Sequence, residues 1–260
     1  MTQYSDYHGP EGLRVRGTVV VVPGRGETRA TYARLGRRLA ADAYRVRVID
    51  GPDLAAEDLS APLDGFAAQV ADAVEGTVSE GTVPEGEVVR PVVLVGADSG
   101  AAAIAALLAR TGAPAAGRPD ALVLAGLPGR TTGSVESWDD ELAVRTSCPA
   151  HRDVLTQDPQ VRRGALDDAL PDALLTAVHD GDVDVPVLLL VGDADPLADH
   201  EALARTAKSL PRARLSVVHG AHHDVLNDLQ HRSTAAEVVS FLETLRNELR
   251  PVITVRSSAW

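Results

Sequence analysis

The segment Gly96-Ala97-Asp98-Ser99-Gly100 sets a carboxylate between small residues, directly after the apolar run Val92-Val93-Leu94-Val95 and before an alanine-rich stretch. A strand that turns abruptly into a helix with small residues at these offsets forces its central residue onto a tight turn at a helix N-terminus. That residue is Asp98, and a carboxylate, ionised at neutral pH, can attack an electron-poor carbon without a base to activate it. A plain glycine-flanked turn capped by an aspartate would have the same residues. Two further groups follow later apolar runs: Gly192-Asp193-Ala194-Asp195-Pro196 after Val187 to Val191, and His219-Gly220-Ala221-His222-His223-Asp224 after Leu215 to Val218. Ligand and catalytic groups gather at the carboxyl ends of strands in open sheets, so this acid and this histidine can meet. Each segment alone also reads as a polar turn, and the histidines as an adventitious metal site. An early turn, Pro23-Gly24-Arg25-Gly26-Glu27 after Val19 to Val22, offers backbone N–H groups to a developing oxyanion, with Arg25 as the donor. Its Arg25 and Glu27 side chains also fit a solvated ion pair.

These residues need a scaffold that brings strand ends together. Apolar runs rich in β-branched residues recur at Thr18 to Val22, Arg45 to Ile49, Val92 to Val95, Ala121 to Leu124, Val185 to Val191 and Leu215 to Val218. Their near-continuous apolarity predicts central parallel strands covered on both faces. Helical faces lie between them: Tyr32, Leu35 and Leu39; Leu63, Phe66, Val70 and Val74; Phe241, Leu242, Leu245 and Leu249. The alternation predicts a single α/β domain with a doubly wound, mostly parallel sheet. Thr77 to Pro91, rich in Gly, Pro and Glu, reads as a solvated connection. The long strandless interval after Gly126 predicts a small helical lid insertion at roughly residues 131 to 182.

Bulk properties narrow the function. The 260 residues suffice for one well-buried domain, and the formal charge of -12 with scattered basic residues opposes nucleic acid and anionic membrane surfaces. The single cysteine, Cys148, excludes an intrachain disulfide and suits a reducing cytoplasm. Met1 to Leu13 lacks the apolar core of a secretory signal, and Asp98 interrupts the longest apolar stretch, Val92 to Ala109, so no membrane span is expected. Lys208 is the only lysine, which together with the high alanine content suggests a GC-rich bacterial genome. A homodimer is compatible with the sequence.

Together these residues resemble the α/β-hydrolase superfamily, and most closely its lysophospholipase and monoacylglycerol-lipase-like branch. In that branch the early turn reads His-Gly-x-Gly-Glu with a tyrosine shortly after; here Pro23 replaces the histidine, and Tyr32 is the tyrosine. The resemblance implies the order nucleophile, acid, histidine, with oxyanion N–H groups at Arg25 and Ser99. It assigns the acid to Asp195, with Asp193 as fallback, and the histidine to His223, with His222 as competitor. Gly24, Tyr32, Trp138, Arg145 and His151 are further candidates for substrate contact; Arg145 and His151, with Cys148 and Arg152, also read as a solvated helix face.

The branch carries serine where this chain has Asp98. Aspartate there resembles epoxide hydrolases and haloalkane dehalogenases, which attack sp3 carbon. Their leaving-group helpers are missing: Tyr4, Tyr7, Tyr32 and Tyr44 all precede the lid, and Ser99 occupies the place of the dehalogenases' tryptophan, leaving Trp138 as the one candidate of that kind. The expectation is a cofactor-free hydrolase of a small organic substrate, in which Asp98 forms a covalent ester, His223 activates water and Asp195 orients His223. Alternatives are Asp98 as general acid or base in a non-covalent hydrolase or lyase, a catalytically silent ligand-binding homologue, and an esterase using Ser99 by a one-residue shift. No metal is expected, since His219, His222 and His223 cannot easily converge on one zinc ion from a single loop. The 3% aromatic content favours an aliphatic pocket.

Overall fold

The computed structural model describes residues 3–54, 58–75, 88–110, 118–130, 135–181 and 183–256. Most of the connection expected at Thr77 to Pro91, and residues 131–134 and 182 of the expected insertion, lie outside them.

Seven strands form one sheet: β1 (Tyr4–Tyr7), β2 (Thr18–Val22), β3 (Arg45–Ile49), β4 (Val92–Ala97), β5 (Ala121–Ala125), β6 (Val187–Gly192) and β7 (Ala213–Val218), in the order β1-β3-β2-β4-β5-β6-β7. All pairings are parallel except β1 with β3. The register explains the unbroken apolar runs. Val20 pairs with Leu94 and Leu94 with Leu122, and these face one side of the sheet, packed against helices α2 (Ser60–Glu75), α3 (Asp98–Ala109) and α6 (Asp172–Asp180). Their neighbours Val19, Val93 and Val123 face the other side, against α1 (Ala33–Ala41) and α8 (His231–Arg246). A strand buried on both faces cannot alternate apolar with polar.

The polar strand β1 was not anticipated, because an antiparallel edge strand needs little apolar surface. It is half-buried, and its Asp6 and Tyr4 hold the guanidinium of buried Arg47, the carboxylate at 3.2 Å and the ring centroid at 4.3 Å. Leu249, expected on the face of the last helix, instead lies beyond its end at Arg246, exposed and with a φ of +61°.

Between β5 and β6 come α4 (Trp138–Arg145), α5 (Pro149–Gln157), a 3-10 turn (Ala165–Asp167) and α6. Leu142, Leu155 and Val161, with Trp138 against them, make a small core for α4 and α5. Helix α6 instead gives Leu174 and Val178 to the main core, where it packs on α3. The remaining helix, α7 (His200–Ser209), lies between β6 and β7 and is capped by Asp199, whose side chain accepts from the Ala202 N–H. No helix among the described residues is long and apolar enough to cross a membrane.

Candidate functional site

Strand β4 turns into α3 at Asp98, whose φ is +46°, the left-handed region that costs a non-glycine residue energy. The flanking glycines make so sharp a turn sterically feasible. A Cβ on Gly96 would lie 2.5 Å from Ala101 Cα, and one on Gly100 would lie 2.4 Å from Pro23 O. The strained centre is Asp98; Ser99 follows it in the first turn of α3, where backbone N–H groups have no intrahelical acceptor.

Asp98 is 3% exposed, and its carboxylate is gripped from the early turn after β2. The Arg25 backbone N–H donates to Oδ2 at 2.8 Å, Arg25 Nε to the same oxygen at 2.8 Å, and Arg25 Nη2 to Oδ1 at 2.9 Å. The third guanidinium nitrogen donates to the carbonyls of Leu166, at 3.0 Å, and Asp168, at 2.6 Å. Thus the Arg25 N–H, expected to serve a developing oxyanion, donates to the Asp98 carboxylate. The side chain forms a buried bidentate pair with Asp98 rather than a solvated pair with Glu27, a role that sequence reasoning missed. Burial pushes the Asp98 pKa up, but the Arg25 guanidinium and the His223 ring outweigh it and hold the carboxyl well below its ordinary 3.8.

The histidine and the acid come from the loops after β7 and β6. His223, 2% exposed, places Nδ1 3.0 Å from Asp195 Oδ2 and Nε2 3.4 Å from Asp98 Oδ1. The second contact lies at the outer edge of hydrogen bonding, and Nε2 makes no closer one. Asp195, 4% exposed, is fixed through Oδ1 by the Leu197 N–H at 2.9 Å. Burial opposes charge on the His223 ring, yet Asp195 and Asp98 raise its pKa to about 10. The competitors point elsewhere: His222 Nδ1 meets Asp228 at 3.0 Å, while Asp193 pairs with exposed His219 at 2.8 Å. The three neighbouring histidines therefore serve three different carboxylates.

A cavity of about 560 Å³ opens beside the elbow, lined by Gly24, Arg25, Ser99, Leu54, Arg162 and Leu170 among others. Tyr32, Trp138, Arg145 and His151 do not line it. Three of them belong to a polar network behind the early turn. Glu27 accepts from the Gly24 N–H at 2.9 Å and from the Tyr32 hydroxyl; Asp224 meets His151 Nε2 at 2.8 Å. Arg145 ties the network together, donating to Glu141 at 2.8 Å and to the Arg25 carbonyl at 2.6 Å. Glu27, His151 and Asp224 bring three potential ligand atoms within 4.8 Å of one another, the one such grouping among the described residues. The Arg145 guanidinium, 3.5 Å from Asp224, already supplies a cation there. Trp138 lies outside this network, stacked under Arg163 at 5.1 Å.

A family model described as serine aminopeptidase, S33, matches residues 14–230. The chain belongs to that family. It is accordingly an α/β-fold hydrolase, and its small-molecule substrate fits that class. Solved structures agree on the fold. The monoacylglycerol lipase of Paleococcus ferrophilus superposes with a TM-score of 0.67 at 18% identity, covering 94% of this chain and 99% of that one. A soluble variant of the monoglyceride lipase of Saccharomyces cerevisiae gives 0.71 at 16%, over 93% and 91%. A lipase-esterase related protein of Clostridium acetobutylicum gives 0.64 at 16%, over 93% and 99%. No curated protein matches the chain. Within this S33 hydrolase the residue at the elbow is an aspartate, where the serine of the family's name would be expected.

Proposed function

We propose that this S33-family member hydrolyses a small organic substrate through a covalent ester on Asp98. The observation that carries the reading is the division of labour between the two Asp98 oxygens. Oδ2 sits on the Arg25 backbone N–H and accepts a second bond from Nε, whereas Oδ1 accepts one bond and faces His223 Nε2. Oδ1 is therefore the attacking oxygen, and Oδ2 becomes the carbonyl oxygen of the ester. When water then adds to the ester carbon, negative charge develops on Oδ2, where the Arg25 N–H, with Ser99 as the second donor, stabilises it.

In the resting site His223 is an imidazolium between two carboxylates. Esterification removes the Asp98 charge, so the ring becomes free to lose its proton and serve as the base for water, with Asp195 holding its orientation. Nε2, 3.4 Å from Asp98 Oδ1 and without a closer partner, is the atom against which the hydrolytic water would be held. Helices α4 and α5, with the turn bearing Leu166 and Asp168, act as a lid that Arg25 fastens to the elbow.

The test compares wild type with Asp98→Asn on a panel of short esters, lactones, epoxides and haloalkanes, recording intact mass in a His223→Gln background. Loss of turnover in the asparagine variant together with an adduct on Asp98 is expected. Retained ester activity in that variant would move the reaction to Ser99 or to a non-covalent route.

A further inference from the structure

Arg25 is a buried cation held against Asp98, and the covalent route removes that counter-charge. Its side chain is 6% exposed, and among the described residues its one charged partner is Asp98; the other two partners are the carbonyl dipoles of Leu166 and Asp168. Once Asp98 is an ester, that guanidinium is left buried and uncompensated, which is strongly unfavourable. A neutral substrate would leave the Arg25 guanidinium without a counter-ion at the ester stage, whereas a substrate that brings its own anion would supply one beside it.

We propose that the substrate is a short carboxylic acid with a leaving group on the carbon next to its carboxylate, and that Arg25 binds that carboxylate as Asp98 is esterified. The inference rests on the covalent reading above. The Nε and Nη2 edge that now grips Asp98 is the planar fork that suits a carboxylate. Because this edge lies within 2.9 Å of the Asp98 oxygens, the carbon that Asp98 attacks and the carboxylate that Arg25 takes over must be neighbours in the substrate. Arg25 lines the cavity together with Ser99, whereas Asp98 and His223 are not among its lining residues.

The chemistry balances without a further reactant. Asp98 Oδ1 forms a bond to C2 while the C2–X bond breaks, X leaving with the electron pair as an anion. His223 gives its proton to solvent, then takes one from the water that adds to the ester carbon. It returns that proton to the departing 2-oxygen, giving a 2-hydroxy acid, and then takes the second water hydrogen from the Asp98 carboxyl, which restores the Asp98 carboxylate and the protonated ring. Overall, the substrate and one water become the hydroxy acid, X⁻ and one proton.

Two measurements test this. Chloride release by the wild-type protein is followed on 2-chloropropionate and on 2-chloropropionamide, with intact mass recorded in His223→Gln. The acid should react about a hundredfold faster or more, with an adduct on Asp98. In the second, Asp98→Asn imitates the neutral ester, and propionate should raise its melting temperature, or its refolding yield if it does not fold alone. Propionamide should do neither, and wild type should respond less. Equal or faster reaction of the amide with an Asp98 adduct would overturn the carboxylate requirement and leave the covalent route standing. Turnover of the acid without an adduct would overturn the covalent route and this inference with it. No chloride from either compound, and no propionate effect on Asp98→Asn, would overturn the inference alone.

Discussion

A buried carboxylate and a buried guanidinium are each costly alone and tolerable together, so changing either member of the Arg25–Asp98 pair exposes what the other requires. Removing one partner should destabilise the fold by about 3–5 kcal/mol, because a charge with no counter-ion stays behind. Urea denaturation of Arg25→Met and of Asp98→Asn should show that loss, and the double change Arg25→Met with Asp98→Leu should recover much of it. Stability should also depend on pH through this site. Asp98, lowered below its ordinary 3.8, contributes stability that is present above that value and lost as pH falls through its depressed pKa. His223, raised to about 10, contributes stability that is full below its ordinary 6.5 and lost as pH rises through about 10. Melting temperature should therefore decline through the alkaline range, and His223→Gln should flatten that decline. Adduct formation by an already ionised Asp98 should stay constant down to about pH 5. A serine activated by a neutral histidine would instead lose rate with each proton added to the ring.

The elbow and the clasp on the insertion show which elements a sequence reveals. The elbow was legible because Gly96 and Gly100 are local: they sit two residues from the strained centre, and the steric need is written beside it. Gly100→Ala would put a Cβ against two backbone carbonyls, Pro23 O at 2.4 Å and Val22 O at 2.6 Å, neither of which can move cheaply. A loss of several kcal/mol, about 3 or more, is expected in thermal or urea unfolding. The clasp was not legible, because it joins residues far apart in the chain. Asp228 is fully enclosed and accepts from the Thr146 hydroxyl at 2.7 Å, from the Ser147 and Cys148 N–H groups at 2.9 and 3.1 Å, and from His222. It thereby fixes the joint between α4 and α5. Burial raises its pKa, but these donors outweigh it and bring it to about 2. The clasp is thus intact above pH 3.8 and lost as pH falls through about 2. Asp228→Asn should cost about 1–3 kcal/mol and speed amide exchange at residues 146–148 ahead of the sheet.

For the whole molecule, the sheet was readable from sequence because β2 to β6 are covered on both faces and so spell continuous apolar runs. The polar edge strand β1 was invisible for the converse reason. That an acid after β6 and a histidine after β7 could meet followed from strand ends, since a parallel sheet delivers its loops to one rim, while the choice of Asp195 and His223 among their neighbours came from the resemblance. The Arg25 side chain did not follow. Its partner lies 73 residues away, and nothing beside Arg25 in the chain announces a buried anion. Family membership sets the scaffold and the hydrolase class, and the aspartate at the elbow sets what is particular to this chain. The most direct test of a covalent ester is a single turnover, with enzyme in excess over a substrate from the panel, in water enriched in heavy oxygen. If Asp98 forms the ester and water attacks its carboxyl carbon, the label appears in the peptide carrying Asp98, and the product alcohol is unlabelled. Label in the product and none in that peptide would contradict the account, placing water directly on the substrate.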